Sequence, residues 1–207
     1  MKQNKLRYGE IAFMLGLALT LLWGAWSLQE QDALERNMIR LHVIANSDSP
    51  EDQTLKLQVR DQVLAQATEI LESSATMAEA ETRISGALPA IEEAARQKIA
   101  DEGYDYQVSA RLEHTEFPEK TYDGFALPSG EYLALRVVIG EGAGQNWWCV
   151  VFPPLCMAAA TQLEETALAS GLGEEDLALI TEENQGYVLK FRSLELWESF
   201  RQWLGKE

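Results

Sequence analysis

Residues 144–156 read GQNWWCVVFPPLC, placing two adjacent tryptophans, two prolines and both cysteines of the chain in one short stretch. Such residues suit a redox or metal centre, a disulfide-stapled hairpin, or a surface offered for recognition. Six residues separate Cys149 from Cys156, which is not the C-x-x-C spacing of dithiol enzymes, and no histidine stands near enough to complete a zinc set. In an oxidising compartment two cysteines this close are expected to pair, and closing so small a loop stabilises by roughly 2.5 kcal/mol on the chain-entropy model. The alternative is two free thiols buried as small apolar side chains.

Other chemistry is sparse. His42 and His114 fall in predicted strands, no His/Asp/Glu spacing supplies the three or four ligands a metal needs, and both read as partly buried strand residues. No serine occupies a G-x-S-x-G elbow. GEGAG at 140–144 lacks the Lys-Ser/Thr of a phosphate-binding loop and reads as a hairpin loop, so neither nucleotide nor other cofactor is expected. Glu141 near Trp147 and Trp148 resembles one side of a sugar cleft, since paired carboxylates about 5 to 9.5 Å apart hydrolyse glycosides. Nothing singles out an acid and a base, so a wall-active enzyme is the alternative function and no catalytic residue is assigned. ANSDSPED at 45–52 sets Asn46, Ser47 and Asp48 where a strand hands over to a helix. Loops at such ends commonly bind partners, and the same residues equally make good turns and caps.

These residues need elements to hold them. MIRLHVIA (38–45) alternates, with Ile39, Leu41 and Val43 on one face, and predicts a strand. Ser49 as N-cap, Pro50 in the first turn and Asp52 as capping-box partner open a helix. Its stripe at 3.6-residue spacing runs through Leu55, Val59, Gln62/Val63, Gln66 and Ile70 and is widened by Leu57, Leu64 and Leu71. Thr76 with Glu79 opens a second helix that Pro89 kinks or divides and Gly103 ends. YDYQVSARLEHTEF (104–117) is a strand with Tyr106, Val108, Ala110 and Leu112 on one face, and 121–132 is turn chemistry. YLALRVVIGEG and NWWCVVF are two more strands. Residues 157–186 show no clear pattern, YVLKFR (187–192) reads as a last strand, and a terminal helix carries Leu194, Trp197, Phe200 and Leu204. The order β-α-α-β-β-β predicts one compact α+β domain, a mixed or antiparallel sheet with helices mainly on one face. Successive residues of a strand face opposite ways, so one of Trp147 and Trp148 is expected in the core and the other free for a partner.

The N-terminus sets the compartment. Lys2, Lys5 and Arg7 precede the uncharged apolar run Ile11–Trp26, the pattern of an export signal or membrane anchor. A helix of that length spans roughly 24 Å, between a cleaved signal and a full membrane span. Residues 1–27 are therefore signal peptide or anchor, in contact with the membrane, 28–37 a polar spacer, and 38–207 a single exported domain. That body carries 14 Lys+Arg against 32 Asp+Glu once the first 27 residues, with three basic and one acidic side chain, are set aside. So acidic a surface argues against nucleic acid and anionic lipid, and favours a partner that is neutral or basic where it touches.

IRLHVIANSDSPEDQTLKLQVRDQVL (39–64) with FALPSGEYLALRVVIGEGAGQNWWCVVFPPLC (125–156) resembles the stage II sporulation protein R family of endospore-forming bacteria, and VLKFRSLELWESF near the C-terminus agrees with it. The resemblance implies a signalling protein and not an enzyme. It would be made in the forespore and exported into the space between the two membranes. There it would trigger a membrane-embedded aspartic protease that processes a mother-cell pro-sigma factor. On that reading Asn46, Ser47, Asp48, Glu141, Asn146, Trp147 and Trp148 are the expected partner-binding residues.

Overall fold

The computed structural model describes residues 8, 11–23, 34–122, 125–156, 172, 173, 176 and 180. The predicted strand 187–192, the helix around Trp197 and most of 157–186 lie outside the described residues, as does most of the spacer. Residues 11–23 are helical with exposed apolar side chains, and no helix among the described residues is long and apolar enough to cross a membrane.

Strand β1 (Ile39–Ile44) is followed by helices α1 (Pro50–Leu71) and α2 (Met77–Asp101). Then come β2 (Val108–Phe117), the short β3 (Lys120–Tyr122) and β4 (Phe125–Leu127), β5 (Gly130–Ile139) and β6 (Asn146–Phe152). Among the described residues the main sheet runs β2-β5-β1-β6, with β1 parallel to β5 and the other pairings antiparallel. The fold is α+β with a mixed sheet. The first strand in sequence is central, which fits its burial along all six residues.

Both helix starts follow from sequence. Ser49 Oγ accepts the N–H of Asp52 at 3.1 Å, and Thr76 Oγ1 accepts that of Glu79 at 3.3 Å. Neither capping box closes in the expected way: the Asp52 carboxylate turns to Asn46 and Ser47, while Glu79 reaches the N–H of Ala75. Pro89 does not divide α2, which is one helix from Met77 to Asp101. Gly103, at φ 85°, lies just past its end.

The odd residues of β1 and β5 and the expected face of β2 meet α1 and α2 in one core, including Leu41, Val43, Leu55, Val59, Ala110, Leu135 and Val137. Leu57 departs from the expected stripe and is 40% exposed. The opposite sheet face holds a second core of Leu34, Met38, Phe117, Phe125, Tyr132, Val150 and Leu155, joined by Leu172 and Ile180. Part of its cover is the β3–β4 pair, in a stretch the turn residues had predicted to be irregular. Arg40 sits fully buried here, its guanidinium 4.0 Å from the Phe117 ring centre and 4.8 Å from that of Tyr132, and Nη2 donates to the Tyr122 hydroxyl at 2.8 Å. Burial lowers its pKa, partly opposed by the two tyrosines.

Candidate functional site

Because β1 lies between β5 and β6, the connection 140–145 must cross the C-terminal end of β1, where the chain turns into α1. The two loops singled out in the sequence are thereby brought together, and their polar residues interlock. Asn46 is the hinge: Nδ2 donates to Asp52 Oδ2 at 2.8 Å, Oδ1 accepts the N–H of Glu141 at 3.0 Å, and its carbonyl accepts the N–H of Ala143 at 3.1 Å. Ser47 Oγ donates to Asp52 at 2.5 Å, and Asp48 Oδ1 accepts the N–H of Gln145 at 2.8 Å. From α1, Lys56 Nζ donates to the Gln145 carbonyl at 3.1 Å, and Gln53 Nε2 to that of Ser47 at 2.8 Å. A Cβ at Gly144 would overlap the Ser47 carbonyl, so only glycine permits this approach.

Asp52 and Lys56 were missed as site residues because a buried charge leaves no hydrophobic signal. They stand at i and i+4 on α1, with Arg60 at i+8, a polar row beside the apolar stripe that turns one edge of the helix towards the loops. Burial pushes the Asp52 pKa up, yet hydrogen bonds from Ser47, Asn46 and Tyr106 outweigh it and hold the carboxyl below its usual range. Burial holds the Lys56 ammonium below its usual pKa, with nearby Arg60 adding to the shift and Asp48 opposing it.

Trp147 and Trp148 do point to opposite faces, but neither is core and neither is free: both are half-buried. Trp147 packs on the helix side with the Arg60 guanidinium 4.7 Å over its ring. Trp148 stacks on His42 at 3.8 Å between ring centres and meets Phe117 edge-on at 4.7 Å. The two histidines also differ from expectation: His42 is buried and His114 exposed. His42 Nε2 lies 2.8 Å from Asn146 Oδ1. Burial lowers the His42 pKa despite that hydrogen bond. Cys149 and Cys156 are joined in a disulfide.

The sequence-predicted residues thus divide. Asn46 and Ser47 are half-buried and spent on holding the loops; Asp48 also holds the Gln145 amide but is exposed, as is Glu141, while the exposed Asn146 lies on the Trp148 face with its amide oxygen at His42. No group of three or more His, Cys, Asp and Glu among the described residues is placed to hold a metal.

The sequence profile of stage II sporulation protein R matches residues 35–162, a span that holds both interlocked loops and the disulfide. The chain belongs to that family. Stage II sporulation protein R of Bacillus subtilis (strain 168) is 41% identical over 118 residues, which is 57% of this chain and 53% of the relative, so the match spans about half the length of that curated relative. No solved structure matches. The C-terminal likeness noted in the sequence lies beyond the matched span.

Proposed function

We propose that this member of the stage II sporulation protein R family is an exported signal that activates a membrane-embedded aspartic protease, which then processes a mother-cell pro-sigma factor. Family membership supports a role in sporulation. The observation that carries the rest is the pinned pair of loops. Hydrogen bonds through Asn46, Asp52 and Lys56 fix the two loops that carry the exposed rim, Asp48 and Glu141. A rim fixed before contact loses little entropy on binding, which suits a recognition surface more than a flexible loop would. Exposed carboxylates there favour a neutral or basic partner segment. The basic flank and apolar run of residues 2–26 support export from the forespore into the space between the two membranes, with residues 11–26 as signal or anchor.

The test is co-expression in a non-sporulating host with the cognate protease and its unprocessed sigma factor, with and without residues 1–27. Processing that requires the exported chain is expected. Absence of processing, with all three proteins present and the chain exported, would overturn direct activation.

A further inference from the structure

The residues after β6 do not simply leave the sheet. Cys149 pairs with Leu41 and so shares its helix-side face, Leu155 is buried in the opposite core, and Cys156 packs back on the helix side. The chain from Pro153 to Cys156 therefore wraps around the side of β6 that faces away from β1, and the disulfide closes the strap onto the strand. The strap also satisfies part of that side of the strand, since Cys156 Sγ accepts the N–H of Val150 at 3.1 Å; the next carbonyl, that of Trp148, is held instead by the Tyr122 hydroxyl of β3 at 3.3 Å. Of the two sulfurs, that of Cys149 belongs to a strand residue 4% exposed, whereas Cys156 is half-buried in the strap.

We propose that the Cys149–Cys156 disulfide is a thiol-exchange site, attacked at Cys156 Sγ by a small thiol or dithiol, and that its opening releases the strap from β6. An incoming thiolate forms a new S–S bond to Cys156. The old bond breaks with its electron pair leaving on Cys149, which takes up a proton. A second thiol then displaces Cys156 as thiolate, so that two thiols of the reductant are oxidised to a disulfide while the chain gains two electrons and two protons. Attack at Cys156 follows from access, since a nucleophile must approach along the S–S axis from the side opposite the leaving sulfur. Release follows from what the bond holds: it is the covalent tie between strap and strand, and among the described residues the strap is otherwise held by the packing of Pro153, Leu155 and Cys156 and by the Val150 contact. This inference stands apart from the protease reading and does not depend on it.

The full chain, folded and oxidised, would be treated with glutathione, quenched with acid and N-ethylmaleimide, and mapped by peptide mass. Glutathione on Cys156 with maleimide on Cys149 is the expected result. Glutathione mainly on Cys149, or an adduct formed only after denaturation, would overturn the site. Amide exchange on the dithiothreitol-reduced chain tests the release: Val150 should exchange about tenfold faster or more while the amides of α1 keep their protection. Unchanged exchange at Val150, or loss of protection throughout the domain together, would overturn the strap as a separate latch.

Discussion

Asn46 and Asp52 meet side chain to side chain at 2.8 Å across the turn from β1 into α1, and the other end of the same Asn46 amide holds the N–H of Glu141, 95 residues away. One side chain therefore joins a local helix start to a distant loop. Stability and the shape of the exposed rim are coupled at this point.

Removing the Asp52 carboxylate should be costly. Asp52→Ala leaves the Asn46 amide and Ser47 hydroxyl without their shared acceptor inside the protein, and a loss on the order of 2–3 kcal/mol is expected. Urea unfolding measures it. A loss below about 0.5 kcal/mol, the usual range for an unremarkable surface site, would mean that water replaces the carboxylate at no cost.

Gly144→Ala should act on the same clamp from the other side. The added methyl meets the Ser47 carbonyl, a backbone atom that cannot swing away, so about 1–3 kcal/mol should be lost. The mutant should also exchange the amides of Ala143 and Gln145 faster, because their acceptors Asn46 and Asp48 are pushed off. Unaltered exchange at both amides would show that the loops can part without consequence.

The buried His42 predicts a pH dependence with a definite sign. Its folded pKa lies below the ordinary imidazole value, so between the two the unfolded chain binds more protons. Stability contributed by the neutral ring is complete above about pH 6.5 and falls as pH drops towards the depressed value. Asp52 is a carboxylate with a lowered pKa, so its contribution is lost only further down, as pH falls from about 3.9 through its folded value. Denaturant titrations of the parent and of His42→Gln between pH 7 and 5 separate the two, and equal slopes would remove His42 as the cause.

Asp48 is the residue that best distinguishes a recognition role from a structural one. It is exposed and gives the fold one hydrogen bond to the Gln145 amide, so Asp48→Ala should cost no more than about 1 kcal/mol. Sigma-factor processing in the reconstituted system should nevertheless fall by about tenfold or more if the rim meets the protease. Full processing by a folded Asp48→Ala chain would move the partner surface elsewhere.

Arg60→Ala tests whether Trp147 is held or merely adjacent. Loss of the guanidinium from its ring should cost about 0.5–1 kcal/mol and raise the quenching of tryptophan fluorescence by acrylamide. Unchanged quenching would leave Trp147 fixed by packing alone.

Much of the fold was legible because its signals are local. The alternation in 39–44, the caps at Ser49 and Thr76, and the apolar face of 108–112 depend on near neighbours, and each lies where the pattern put it. What was not legible depended on pairing at a distance. Turn residues at 121–130 concealed β3 and β4, which exist because they cover the second core. Leu57 fits an apolar count but faces solvent, whereas Lys56 beside it is buried because a loop 89 residues away supplies a carbonyl. For the candidate site, the sequence singled out the two loops as separate polar candidates, not as neighbours. It could not show that Asn46 and Ser47 are consumed in joining them, nor that both tryptophans are half-covered.

The central position of β1 has a further consequence, for the order in which the chain becomes ordered. Leu41 pairs with Leu135 on one side and with Cys149 on the other, so nothing can flank this strand until its partners have been synthesised. About two thirds of the chain must emerge before the first of these ladders can form, while α1 and α2 can coil and pair earlier. A nascent chain of this topology stays threadable for most of its synthesis and locks only when its last described strand arrives.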